Sequence, residues 1–397
     1  MRDQKRSHSR RGATLMEVLI AILAMGIGVV SLISLFPLSV VRSVRGYQLT
    51  QSTIHRQNAE AIIDGYPRLF ADPDNDGNLQ EHWGERFVVD PLGNLEKFNL
   101  RGLYSPSGAT YPPAAAADVI GVMRRFSGMR NDANNNAFLN DFLNLTDSHE
   151  AAADSLATMP DTWVEQVDEI TQINTGTNEI TFDSAVSLTA VAGALTATPA
   201  IPVRAIIYDT TGKQSVTRSV TNINLATNVA TYSPDLPTGF SVGNRIVLET
   251  LERRFTWMLT CRGTTPLASD FYVDVTVFFR RPYSAEEETP VVLETANNVA
   301  VLFKGSYTAY IDYPETENAP HIRKGGYLFD CSKTGANWYR VVDWEDFSTP
   351  TLIPGTTVTT KHLKVTLDRA AIDDSSLVVI MNSAVDFYPL GLKSYRP

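Results

Sequence analysis

Glu17 is the acid in this chain whose placement most plainly calls for a chemical role. It stands at the mouth of residues 18–41, a run without a charged side chain, and just after Arg10, Arg11, Gly12, Ala13, Thr14 and Leu15. As a helix rising about 1.5 Å per residue, that run crosses a hydrocarbon layer of about 30 Å. A carboxylate at the centre of such a layer costs about 2.5–3.5 kcal/mol on insertion scales, so an acid carried there needs a partner. A second constellation is Asp72, Asp74 and Asp76 with Gly77. Carboxylates at the first, third and fifth places of a loop, with glycine at the sixth, are how calcium loops begin. The twelfth place holds Trp83 instead of the closing carboxylate, with Glu81 and Glu85 close by as substitutes. An exposed turn is the alternative reading of these aspartates. Cys261 and Cys331 are the two cysteines. They are a disulfide candidate, and such a bridge would stabilise by roughly 4 kcal/mol on the chain-entropy model. Two buried thiols are the other reading, because two cysteines offer no spacing pattern.

The stretch from Gly12 to Glu17 resembles the prepilin-type cleavage and methylation motif of type IV pilins and type II secretion pseudopilins. Gly12 matches the residue before the cut, and Thr14, Leu15 and Glu17 match the start of the mature chain. Ala13 departs from the pattern, which mostly carries Phe or Met there. The continuation through Gly26 and Gly28 looks most like the minor-pilin branch, PilV-like or I-type. The resemblance covers about residues 10–66. It implies a membrane-embedded prepilin peptidase that cuts after Gly12 and methylates the new amine of Ala13. It also implies an inner-membrane assembly platform and other pilin or pseudopilin subunits as partners. Glu17, with Thr14 and Leu15 beside it, would belong to the assembly contact, the carboxylate meeting the terminal amine of a neighbouring subunit. Two poorly solvated charges are each better off opposite the other. An uncleaved signal anchor is the simpler alternative. An ordinary secretory signal fits less well, because the apolar run is long and no small-residue site closes it.

Charge sets the expected orientation. Arg2, Lys5, Arg6, Arg10 and Arg11 stand against Asp3 in the leader. That bias keeps the N-terminus cytoplasmic, the span in the inner membrane and the remainder extracytoplasmic. The whole chain carries −10, and the part beyond the leader is more acidic still. An acidic ectodomain repels phosphate backbones, so no nucleic-acid partner is expected. His8, His55, His82, His149, His321 and His362 do not cluster, and no nucleophile, phosphate-loop or zinc signature occurs. No enzyme is expected, and no cofactor other than the calcium candidate. An anchored hydrolase and an anchored binding module are the rival classes.

The helix is expected to outrun the membrane. Val40, Val44, Tyr47, Gln51, Ile54, Asn58 and Ala61 recur every three or four residues, with Arg45, Gln48, Ser52, Arg56 and Glu60 on the other faces. Asp64, Gly65, Tyr66 and Pro67 form the stop, with Gly65 suited to a left-handed cap. Pro37 should kink or loosen the apolar part.

Beyond the helix, strand signals dominate. They cover residues 203–208, 245–249, 255–260 and 271–279; in the last, Tyr272, Asp274 and Thr276 share one face. Residues 170–182 align with 220–232 at a constant offset, with identities at Thr171/Thr221, Ile173/Ile223, Asn174/Asn224, Thr177/Thr227, Asn178/Asn228 and Thr181/Thr231. Each copy reads as a hairpin within an inserted module at about 163–249. Residues 67–117 read as loops, 137–145 and 148–157 as helices. A second strand set covers 299–303, 307–312, 327–331, 338–344, 362–367 and 377–381. It is either a separate small domain or the rest of the first sheet. Trp338, Tyr339, Trp344, Phe347, Phe387 and Tyr388 read as core. The expected fold class is α+β: a long N-terminal, partly transmembrane helix carrying a mainly antiparallel β-sheet ectodomain with inserted β-hairpins. Its expected segments are a basic leader (1–12), the transmembrane half of the helix (13–41) and the amphipathic half (42–66). A loop-rich, partly helical region (67–162), a β-rich module (163–283), an acidic linker (284–290) and a C-terminal β-rich region (291–397) follow.

Overall fold

Helix α1 (Leu15–Gly65) is 51 residues long, so it extends for about 75 Å at the ordinary helical rise. The computed structural model describes residues 15–73, 78–92, 123–127, 157–159, 161–170, 172–174, 178–197, 200–265, 269–281, 289–292, 302–314, 319–332, 335–352, 359–375 and 377–395. Contacts divide the chain into two units, residues 1–50 and 51–397. The helix runs unbroken through Pro37. It stops at Gly65 as expected, though without a left-handed cap: Tyr66 N still donates to Ile62 O at 2.8 Å, and Pro67 begins the next turn, α2 (Arg68–Ala71).

The second unit contains three sheets. The chain first makes β1 (Arg86–Asp90), β2 (Arg124–Ser127) and the short β3 (Thr158–Met159). Then come β4 (Thr162–Ile170), β5 (Gln172–Asn174), β6 (Glu179–Thr181), helix α3 (Thr189–Thr196), β7 (Val203–Asp209), β8 (Ser215–Asn224), β9 (Val229–Ser233) and β10 (Val242–Glu252). Strands β11 (Phe255–Gly263) and β12 (Asp270–Phe279) follow. The C-terminal part holds β13 (Thr289–Val292), β14 (Thr308–Pro314), β15 (Tyr327–Asp330), β16 (Asn337–Leu352), β17 (Thr359–Leu367), β18 (Leu377–Met381) and β19 (Ala384–Ser394).

Sheet 1 has the order β19-β12-β11-β1-β2, with β3 also on β11. Its pairs are antiparallel apart from β1 with β2. Two of its strands correct the expectation of loops over 67–117 and add a strand to the partly helical region expected after it. Arg86–Asp90 is a central strand, and Arg124–Ser127 pairs with it. Five residues inside a Pro-, Gly- and Asp-rich region carry too little alternation to be read as a strand beforehand. The helix candidate at 137–145 lies outside the described residues, as does the candidate at 148–157 except for Ala157, which is buried.

One face of sheet 1 carries the main core. Phe255, Trp257, Leu259 and Cys261 of β11 and Phe271, Val273, Val275 and Val277 of β12 meet Ala59 and Ile63 of α1 and Leu69 and Phe70 of α2. The packed stripe of α1 is therefore Ser52, His55, Ala59 and Ile63, one or two positions beyond the expected Gln51, Ile54, Asn58 and Ala61. Two polar residues displaced the stripe because each has a matching surface. The Ser52 hydroxyl meets the Tyr388 hydroxyl at 2.5 Å, and the His55 ring stacks on Phe255. Lys393 of β19 adds an ion pair to Asp64 at 2.7 Å.

The opposite face of sheet 1 holds Asp274 and Thr276 together, as the alternation requires, yet both are buried. Sheet 3, of order β13-β18-β15-β16-β17-β14, covers them. Trp338 of β16 is buried there among Phe278, Phe329 and Tyr327, and its Nε1 donates to Thr260 Oγ1 at 2.9 Å. Of the two alternatives for the second strand set, its strands form a sheet of their own and do not continue the first, while β19, which lies beyond that set, joins sheet 1. Of the aromatics read as core, Trp338 and Tyr339 are buried and Trp344 is exposed.

Sheet 2, of order β4-β10-β7-β8-β9-β6-β5, is the inserted module, with α3 packed on it. The aligned segments form two hairpins, β5–β6 and β8–β9. They also pair with each other: Ile180 lies opposite Ala230, and these two occupy the same place in the repeat. The Phe182 amide donates to Asn228 O and the Tyr232 amide to Asn178 O, both at 2.9 Å. These reciprocal bonds relate the two copies by a local two-fold axis.

Candidate functional site

The feature that sets this chain apart from an ordinary β-protein is the uncovered half of α1. Every side chain described from Leu15 to Tyr47 is exposed. The helix contains a window of mean hydropathy 2.7, none of it buried. A helix apolar on all faces belongs in a protein core or a bilayer, since each exposed Leu, Ile or Val forgoes about 1.5–3 kcal/mol of burial. It is long and apolar enough to cross a membrane.

Glu17 stands in the first turn of this helix, with its side chain exposed. There the unsatisfied amides carry partial positive charge, which favours an acid. Leu15 is the first described residue and is also exposed. Gly12, Ala13 and Thr14 lie outside the described residues. Gly26 and Gly28 occupy positions where a Cβ would meet nothing within 4 Å. Nothing in the described structure therefore demands their small size, which leaves their smooth surface available to a neighbouring helix.

The calcium candidates are only partly in view. Asp72 is buried just after α2, whereas Asp74 and Asp76 lie outside the described residues. Glu81 and Glu85 instead flank the buried His82, at 3.1 and 3.8 Å, and Glu81 also lies 3.4 Å from Arg124. Among the described residues, no group of three or more His, Cys, Asp or Glu is placed to hold a metal ion.

The disulfide candidate is corrected. Cys261 and Cys331 are both buried and form no disulfide. Cys261 points into the core between sheet 1 and the helices, while Cys331 belongs to the core between sheets 1 and 3. Alternation along β11 sends Cys261 and its neighbour Thr260 to opposite faces, and Cys331 lies on the Thr260 side. Burial pushes the Cys261 thiol well above its ordinary range. The Cys331 Sγ points at Leu377 O, 3.8 Å away.

Two groupings of polar residues were not visible in the sequence. Asp90 is fully buried between the guanidinium groups of Arg125 and Arg281, with contacts of 2.5 and 2.8 Å. Burial raises its carboxyl, but the two arginines outweigh that and hold it down at about 2. It ties β1, β2 and the end of β12 together. The second grouping is a cleft of about 610 Å³ where sheets 1 and 3 meet, lined by Arg86, Arg262 and Arg369. In both, tertiary structure assembles residues from distant parts of the chain, so no spacing announces them. No protein-family model, no curated protein and no solved structure matches this chain.

Proposed function

We propose that this chain is a pilin-like structural subunit, processed after Gly12 and assembled through α1 into a type IV pilus or a type II secretion pseudopilus. The observation that carries this reading is the apolar half of α1, uncovered on every described face and opened by a single acid. In the membrane, lipid covers residues 18–41. In a filament, the same surface packs against copies of itself or related subunits. Glu17 would then answer the positive amine of a neighbouring chain, each charge offsetting the desolvation of the other. Gly26 and Gly28 would let helices approach closely. The β-rich unit would be the extracytoplasmic part displayed by the filament, and its residues would act by contact and not by turnover.

Mass spectrometry of the mature N-terminus tests this. A chain beginning at N-methylated Ala13 is expected, and Gly12→Leu should remain uncut. The substitution Glu17→Ala should spare membrane insertion and reduce recovery in sheared filaments by tenfold or more, about the effect of losing one desolvated ion pair. A native chain that keeps residues 1–12, and that never enters filaments, would instead be a membrane-anchored extracytoplasmic binding protein.

A further inference from the structure

The cleft between sheets 1 and 3 has an unusual charge arrangement for an acidic chain. Arg86 on β1 and Arg262 on β11 are direct cross-strand neighbours. Like charges in that position destabilise a sheet. Tyr272 on β12 is the next member of the same row, opposite Arg262. Arg369 enters from the segment after β17. Three guanidinium groups therefore share one cavity whose lining includes one carboxylate, Asp274. Asp274 pairs with Arg262 at 2.5 Å, and Asp373 lies 3.7 Å from Arg86. The lining therefore carries more cations than carboxylates, in a chain whose net charge is −10.

Part of each arginine has a structural task. Arg86 Nη1 donates to Gly335 O at 2.7 Å, Arg262 Nη1 to Ala336 O at 2.8 Å, and Arg369 Nε to Trp338 O at 3.1 Å. The first two hold the approach to β16 against sheet 1, and the third ties β16 to the segment after β17. They do not use up the donors. Among the described residues, Arg86 Nε and Nη2 and Arg369 Nη1 have no protein acceptor. The arginines are thus fixed in place with donors to spare, which is the preorganised state that planar carboxylate recognition requires. Beside them lies an apolar surface. Tyr272 is 49% exposed and Ile372 46% exposed, and Phe387 completes the wall. The volume lies in the range of small-molecule sites.

We propose that this cleft binds a carboxylate attached to an apolar body, the acid group at Arg369 and Arg86 and the body against Tyr272, Ile372 and Phe387. The proposal is independent of the filament reading. Either a free small acid or the C-terminal carboxylate of a peptide carries this chemistry. Phenylbutyrate and N-acetylphenylalanine are the respective probes, with phenylbutanol and N-acetylphenylalanine amide as neutral controls. Isothermal titration of the full chain in one detergent, beside its variants, cancels partitioning into micelles. Saturable one-to-one binding of at least one acid is expected, weakened by salt and absent for both neutral controls. Arg369→Gln should raise Kd about tenfold, as the loss of a charge-assisted hydrogen bond does. Because Arg369 also braces Trp338, Tyr272→Ala at an exposed position provides a second variant, also expected to weaken binding. Tighter binding of phenylbutyrate assigns the site to a free acid, and tighter binding of N-acetylphenylalanine to a peptide end. Absence of saturable acid binding, equal binding of the neutral controls, or affinity unchanged in both variants would overturn the proposal.

Discussion

His55 lies against Phe255 with ring centroids 5.3 Å apart and planes inclined by 29°. This contact docks the inner half of α1 on sheet 1, and it has a pH dependence built into it. Burial drives the His55 imidazole from 6.5 down to about 4, outweighing Asp161, which acts the other way. The unfolded imidazole protonates first as pH falls. Stability is therefore complete above about pH 6.5 and is lost toward pH 4, with a slope of at most about 1.4 kcal/mol per pH unit from this group. Carboxylates add their own dependence at the acid end of that window. Urea unfolding of the wild type and of His55→Leu across pH 7 to 4 separates them: the wild-type midpoint should fall relative to the variant's as pH falls. A constant difference would show that the buried ring does not titrate in this way.

The two-fold relation in the inserted module makes a paired prediction. Asn178 and Asn228 both have φ of 54°, in the left-handed region that Asn tolerates better than Ala. Asn228 Nδ2 also donates to Val186 O at 2.9 Å, and Asn178 Nδ2 bonds the Asp235 carboxylate. Replacing either by Ala should cost about 1–2 kcal/mol, the usual penalty of a left-handed Ala. Gly at either place should cost less. Thermal unfolding of the four single variants checks the order, and a cost confined to one copy would break the equivalence.

Gly335 is required for space. A Cβ there would lie 2.2 Å from the Asp330 Cγ. Asp330 cannot move aside freely, because its Oδ1 accepts from Ser332 Oγ at 2.6 Å and Ser375 Oγ at 2.7 Å. Gly335→Ala should therefore cost about 1–3 kcal/mol, as overpacking does. It should also loosen the turn that Arg86 and Arg262 hold. Chemical denaturation measures the first effect, and amide exchange at residues 335–338 the second.

Cys261 and Cys331 should both be unreactive toward an aromatic disulfide reagent in the native protein and both react after unfolding in denaturant. Intact mass under non-reducing conditions should correspond to two free thiols. Recovery of a bridged peptide would mean that the two cores approach more closely than the sheet between them allows.

Elements whose residues agree in type over a long stretch are legible in the chain before it folds. The uncharged run after Glu17 dictates a helix long and apolar enough for a bilayer, because every side chain in it favours the same surroundings. The stop at Gly65 and the strands around 203–208, 255–260 and 271–279 were legible for the same reason, their periodicity being local. The two related hairpins were legible because Asn178 and Asn228 mark the same turn twice. Tertiary structure alone decided where polar residues go. Ser52 and His55 look solvent-facing until Tyr388 and Phe255 meet them, and Asp274 and Thr276 look like a wet sheet face until Trp338 and its sheet cover it. It also decided that Cys261 and Cys331 stay apart, that Arg86–Asp90 is a central strand, and that Arg86, Arg262 and Arg369 line one cleft. Local pattern records what a residue prefers on average, whereas the burial of a polar side chain depends on a partner that the chain delivers from far away in sequence.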